Sequence, residues 1–156
     1  MHETVNELTK IVTEYSLRIS YISEQEFSAK PHHHKWSKKE VLGHLIDSGQ
    51  NNLRRFICGQ YETRPPNIVY DQDHWVNFNA YQQEESKQVI ALWTLINKRI
   101  AAVLERMPAS SYAKECDTGK DVPSPHSLEW LADDYLKHLK HHLNQIIPNS
   151  FDIVYK

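Results

Sequence analysis

Apolar residues recur at three- and four-residue steps through four long stretches of this chain, and few stretches show the two-residue alternation of a half-buried strand. Val5, Leu8, Ile11, Val12, Tyr15 and Ile19 predict a first helix over residues 3–23. A second is expected from Ser37 to about Ile57, because "SKKE" is an S-x-x-E capping box in which Ser37 and Glu40 satisfy each other's backbone N–H groups. Val89, Leu92, Trp93, Ile96, Ile100, Val103 and Leu104 mark a third helix from about Glu84 to Met107, stopped by Pro108. The fourth begins near Ser127 or Leu128 and ends before Pro148. The expected fold is therefore all-α: a four-helix bundle with long crossover connections after the second and third helices. Strand signals are negligible, and the aromatics Phe56, Trp93, Trp130 and Tyr135 fall at core spacing.

The segment "GQYETRPPNIVYDQDHWVNFNAYQQ" between the second and third helices is too aromatic for a tether, with Tyr70, Trp75, Phe78 and Tyr81. It reads as an ordered loop, the usual place for a lid or pocket wall. No repeat, low-complexity tract or composition break divides the chain, so residues 1–156 are expected to form one domain.

Charge and cysteine usage narrow the function classes. Lys+Arg total 18 and Asp+Glu 20, a formal charge of −2, without the basic excess of a nucleic-acid binder. No apolar run reaches the roughly 18 residues of a membrane span. The start "MHETVNELTK" lacks the pattern of a secretion signal, so a cytoplasmic location is expected. Cys58 and Cys116 are far apart and outside any C-x-x-C pair, which argues against a disulfide framework or a cysteine-based zinc site. Dinucleotide and phosphate-loop glycine motifs, G-x-S-x-G and H-E-x-x-H are all absent from the sequence.

The compositional oddity is histidine, present 10 times. His138 and His142, at i and i+4, stand one turn apart on one helical face, where two imidazoles can grip one ion. His44 on the second helix is a candidate third donor from across the bundle, since bundle cores build metal sites from facing helices. Chance alone would give about 0.6 histidine pairs at that spacing, so spacing does not select the ligand reading. His44 also lies roughly 150° from the stripe of Leu42, Leu45, Ile46, Leu53 and Phe56, where a solvated histidine fits equally well. His141 reads as a surface or neighbouring residue. The tract His32–His34 reads as a solvated turn, and neither His74 nor His126 earns a role.

"WSKKEVLGHLIDS" followed by "NNLRRF", and then "YLKHLKHHLNQI", resembles the DinB-like superfamily, in particular the branch of YfiT-type metal-dependent hydrolases and bacillithiol transferases. The likeness extends to "YDQDHW" and "AYQQ" and so spans nearly the whole chain. It implies a four-helix bundle, commonly a homodimer, with a divalent metal ion on His44, His138 and His142. Zinc or nickel are the first candidates, iron or manganese the alternatives. The side of the second helix bearing His44 would then line a cleft. Asp47 and Asp134, close to these histidines along their helices, are candidates to accept a hydrogen bond from a ligand imidazole. The implied chemistry is activation of water or of a low-molecular-weight thiol toward a small-molecule electrophile, as a hydrolase or thiol transferase. No catalytic acid or base stands out, so a non-catalytic, dimeric metal-binding bundle remains the alternative.

Overall fold

The Ser37 hydroxyl accepts from the Glu40 amide at 3.1 Å while the Ser37 amide donates to Glu40 Oε2 at 2.8 Å, so the predicted capping box opens the second long helix. In the computed structural model, which describes residues 1–155, the long helices are α1 (His2–Ser20), α3 (Lys38–Tyr61), α5 (Ser86–Glu105) and α6 (Leu128–Ile146). The Ser127 hydroxyl caps α6 by accepting from the Trp130 amide. Two short helices, α2 (Glu24–Ser28) and α4 (Gln72–Asn79), lie in the connections. The first predicted helix is thus shorter than residues 3–23: it stops at Ser20, and Ser23 starts α2 by capping Glu26.

Packing partners give the order of the bundle. α1 packs on α5, α5 on α3, α3 on α6, and α6 back on α1. The consecutive pairs α1/α3 and α5/α6 are therefore diagonal, and the segments after the first and third long helices cross the bundle. The expected crossover after the second is not one: the long segment between α3 and α5 joins neighbouring helices and spends its length on α4, which packs along α3.

A strand element also exists. Residues Glu115–Asp117 (β1) and Pro125–Ser127 (β2) pair antiparallel in the connection between α5 and α6. Asp117 Oδ1 accepts from the amides of Gly119 and Ser124, closing the turn between them. At three residues each, and with Pro125 in one strand, the pair carries no periodic signal.

The core joins Leu8, Val12, Tyr15 and Ile19 of α1 to Leu42, Leu45 and Phe56 of α3, Trp93 and Ile100 of α5, and Tyr135 and Leu139 of α6. Trp130 departs from expectation: it is 47% exposed, and its ring stacks at 3.9 Å on His126 of β2. Among the described residues no helix is long and apolar enough to cross a membrane.

Candidate metal centre

The first half of α3 explains where His44 goes. Every residue from Lys39 to Gly49 is buried, because this stretch meets α2, α4, α5 and α6 on different sides. An apolar stripe locates only the side that faces the core. The opposite side, bearing His44 and Ser48, packs on α6, so the solvated position allowed by periodicity is not the one adopted. His44 is 1% exposed.

That contact brings three imidazoles together. One ring nitrogen from each of His44, His138 and His142 lies within 4.8 Å of the other two. The Nε2 atoms of His44 and His138 are 3.1 Å apart. Ring centroids are separated by 4.6 Å for His44 and His142 and by 4.5 Å for His138 and His142. Trp36, just before the capping box, tilts over His44 at 5.1 Å.

Burial sets the charge of the cluster. Burial first, and His142 second, bring His44 down from the usual imidazole range to about 3. Burial likewise takes His142 down to about 4. His138 is driven well below the ordinary value by burial, then by His142 and His44. All three are neutral near pH 7, the form that binds a metal.

The donor set fits a divalent cation. A zinc-like ion at about 2.0–2.1 Å from each of three tetrahedral imidazoles would hold their nitrogens about 3.3 Å apart. The pair at 3.1 Å and the outer limit of 4.8 Å enclose that separation. Nδ1 of His44 and Nδ1 of His142 are buried without a hydrogen-bond partner among the described residues, so the protein has not used up the rings' capacity.

Each candidate carboxylate has one oxygen engaged elsewhere, and Asp47 Oδ2 is buried without a hydrogen-bond partner among the described residues. Asp47 Oδ1 accepts from the Tyr81 hydroxyl at 2.6 Å and from Asn79 Nδ2 at 2.9 Å. Burial raises its pKa to about 6, with Tyr81 and Asn79 pulling the other way. Asp134 Oδ2 accepts from the Tyr155 hydroxyl at 3.2 Å, and the Tyr155 ring stands edge-on to His138 at 5.6 Å. Among the described residues neither carboxylate is hydrogen-bonded to an imidazole. The polar group that does meet one is Ser48, whose Oγ is 3.4 Å from His138 Nδ1. Its signal in the sequence is the i, i+4 step from His44.

The remaining histidines lie outside the cluster. His141 touches His142 and Tyr155 with its ring, and His74 pairs with Asp71 at 3.0 Å on the surface. His32 and His34 line a cleft of about 800 Å³ that also includes Trp36, Lys35, Asp73 and Gln145 and reaches His142.

Four long helices with a largely enclosed three-imidazole cluster between two of them, His44 buried and His138 and His142 half-buried, define a helical-bundle protein with a site suited to a divalent cation, open to a cleft through His142. The chain belongs to the DinB superfamily, whose sequence model matches residues 7–146. It is similar in structure to YfiT from Bacillus subtilis, described as a probable metal-dependent hydrolase with an unusual four-helix bundle topology. That match has a TM-score of 0.83 at 19% identity and covers 93% of this chain and 82% of that one. A DinB-like protein, YjoA, also from Bacillus subtilis, matches at a TM-score of 0.64 and 15% identity over 98% of this chain and 96% of its own. The mycothiol-dependent maleylpyruvate isomerase, as a histidine-to-alanine mutant, matches at a TM-score of 0.74 and 10% identity, covering 91% of this chain. The present chain spans only 59% of that enzyme. A comparison with curated protein sequences finds no significant match.

Proposed function

We propose that this protein is a metal-dependent enzyme acting on a small molecule, with His44, His138 and His142 holding one divalent ion. The observation that carries the reading is the convergence of three neutral imidazoles, His44 buried and His138 and His142 half-buried, from α3 and α6 where a cleft meets His142. When bound, such an ion supplies Lewis acidity that makes water or a thiol acidic near neutral pH. Zinc or nickel suits three imidazoles, and iron or manganese is the alternative. The chain's own part is to bind and to orient. Burial keeps the imidazoles unprotonated, Trp36 shields His44 on one side, and the cleft admits a ligand on the His142 side.

The reaction assigned is hydrolysis, or transfer of a low-molecular-weight thiol to an electrophile. YfiT's description and the thiol-dependent isomerase support the two variants by analogy of fold. Cys58 and Cys116 supply no competing nucleophile, since both lie outside the cluster. A homodimer in the cytoplasm belongs to the same reading, and ultracentrifugation of the purified chain tests its first half.

A second reading, metal binding without turnover, is favoured by the engagement of Asp47 Oδ1 and Asp134 Oδ2 by tyrosine hydroxyls, so that neither carboxylate is hydrogen-bonded to a cluster imidazole among the described residues. Untagged protein assayed for ester hydrolysis and for thiol conjugation, before and after chelation, separates the two. Chelator-sensitive turnover is expected; stoichiometric metal with no turnover in either assay leaves the second reading.

A further inference from the structure

Four polar residues of α3 descend one side of the helix from the cluster: His44, Ser48, Asn52 and Arg55. They are joined in series. Arg55 Nη1 donates to Asn52 Oδ1 at 3.3 Å, while Arg55 Nε and Nη2 both donate to the Ile68 carbonyl, at 3.1 and 2.8 Å. Asn52 Nδ2 donates to the Ser48 carbonyl at 3.0 Å and lies 3.4 Å from Ser48 Oγ. Ser48 Oγ in turn lies 3.4 Å from His138 Nδ1.

The chain has a direction. A guanidinium only donates, so Asn52 must present its carbonyl oxygen to Arg55 and its NH2 to Ser48. The Ile68 carbonyl clamps Arg55, which keeps that orientation in place. Ser48 Oγ, approached by an N–H from below, has a lone pair to offer His138. Its own proton is free to turn elsewhere: burial raises the Tyr70 hydroxyl's pKa, and a hydrogen bond from Ser48 pulls it the other way. Ser48 is 3% exposed, so little water competes for the contact.

We propose that Ser48, held by Asn52 and Arg55, is a positioning residue that fixes the tautomer of His138. It accepts Nδ1–H and so turns the Nε2 lone pair toward His44 Nε2, 3.1 Å away. It takes the role that sequence spacing offered to Asp134. The inference rests on the proposed metal site for its purpose but not for its existence, because the tautomer is a property of the metal-free protein as well.

The test uses both states of the full-length chain. Long-range 15N–1H NMR of metal-free protein at pH 8 reports which nitrogen of His138 carries the proton. Wild type is expected to show Nδ1–H, and Ser48→Ala a loss of that preference. Zn2+ affinity, measured by competition with a chromogenic chelator, is expected to fall 10- to 100-fold in Ser48→Ala, the usual range for removing an outer hydrogen-bond partner. Ser48→Thr, which keeps the hydroxyl, is expected to recover both readouts. Nδ1–H in wild type without any Zn2+ binding would sink the metal reading and leave this inference standing. Nε2–H in wild type overturns it, as does a Ser48→Ala variant with unchanged tautomer and affinity. If Ser48→Ala does not fold, the wild-type and Ser48→Thr spectra decide: Nε2–H in either overturns the inference.

Discussion

His44 Nε2 and His138 Nε2 sit 3.1 Å apart although 94 residues separate them in the chain. The approach joins the polar side of α3, which also carries Ser48, to α6. Two neutral imidazoles at this distance either share one N–H or face one cation, and the neighbouring ring of His142 suits the second. Each of His44→Ala, His138→Ala and His142→Ala should therefore abolish stoichiometric metal, lowering affinity by more than the roughly 100-fold seen for outer partners. Metal analysis after dialysis, with circular dichroism to confirm helicity, checks this. Retention of one metal per chain by any one variant would exclude that residue as a ligand.

Acid should destabilise the metal-free protein through the same residues. The folded-state values of about 3 for His44 and about 4 for His142 lie below the ordinary 6.5. Between these limits the unfolded chain binds more protons, so stability is full above about pH 6.5 and falls as pH drops toward 3. Each histidine contributes up to about 1.4 kcal/mol per pH unit. Urea midpoints from pH 7.5 to pH 5 in chelator should fall in wild type and fall less steeply in His44→Ala.

Asp47 acts with the opposite sign. Its folded value of about 6 lies above the usual 3.8, so its contribution is present below about pH 4 and lost as pH rises through 6. Asp47→Asn keeps an acceptor for Tyr81 and removes the ionisation. Its stability relative to wild type should rise by about 1–3 kcal/mol between pH 4 and pH 7, read from paired urea titrations. A constant difference across that range would show that Asp47 does not titrate there.

Gly43 makes the Tyr81–Asp47 bond possible. A Cβ at residue 43 would lie 2.1 Å from Tyr81 Cδ2, so the ring rests directly on the helix backbone. Gly43→Ala should displace the ring, break its bond to Asp47 and cost about 1–3 kcal/mol. In a Tyr81→Ala background the same substitution should cost much less, and the double-mutant cycle measures the difference.

The pattern of the chain foretold some of this better than the rest. Apolar periodicity, the Ser37 capping box and the stops at Pro108 and Pro148 located the four long helices to within a few residues, because those signals are local. α2, α4 and the β1–β2 ribbon stayed hidden, being held by the Ser23 cap, Asp71, Asp117 and packing on α3 rather than by periodicity. Trp130 shared core spacing but stacks on His126 instead. The burial of His44 was beyond any one-stripe count, since α3 is covered on several sides, and only the resemblance of "GHLID" and "HLKHH" to a known family indicated that its second side faced a site. Ser48, Asn52 and Arg55 follow His44 at helical steps. That polar row was present in the sequence, but it takes on meaning only once α6 is seen opposite it.

Anomalous diffraction at a metal absorption edge, from crystals of untagged protein purified without added metal, decides whether the three histidines share an ion. One peak is predicted, at about 2.0–2.1 Å from one nitrogen each of His44, His138 and His142. Imidazoles bonded only to one another around a space without anomalous signal, or a metal bound at another place on the chain, would contradict it.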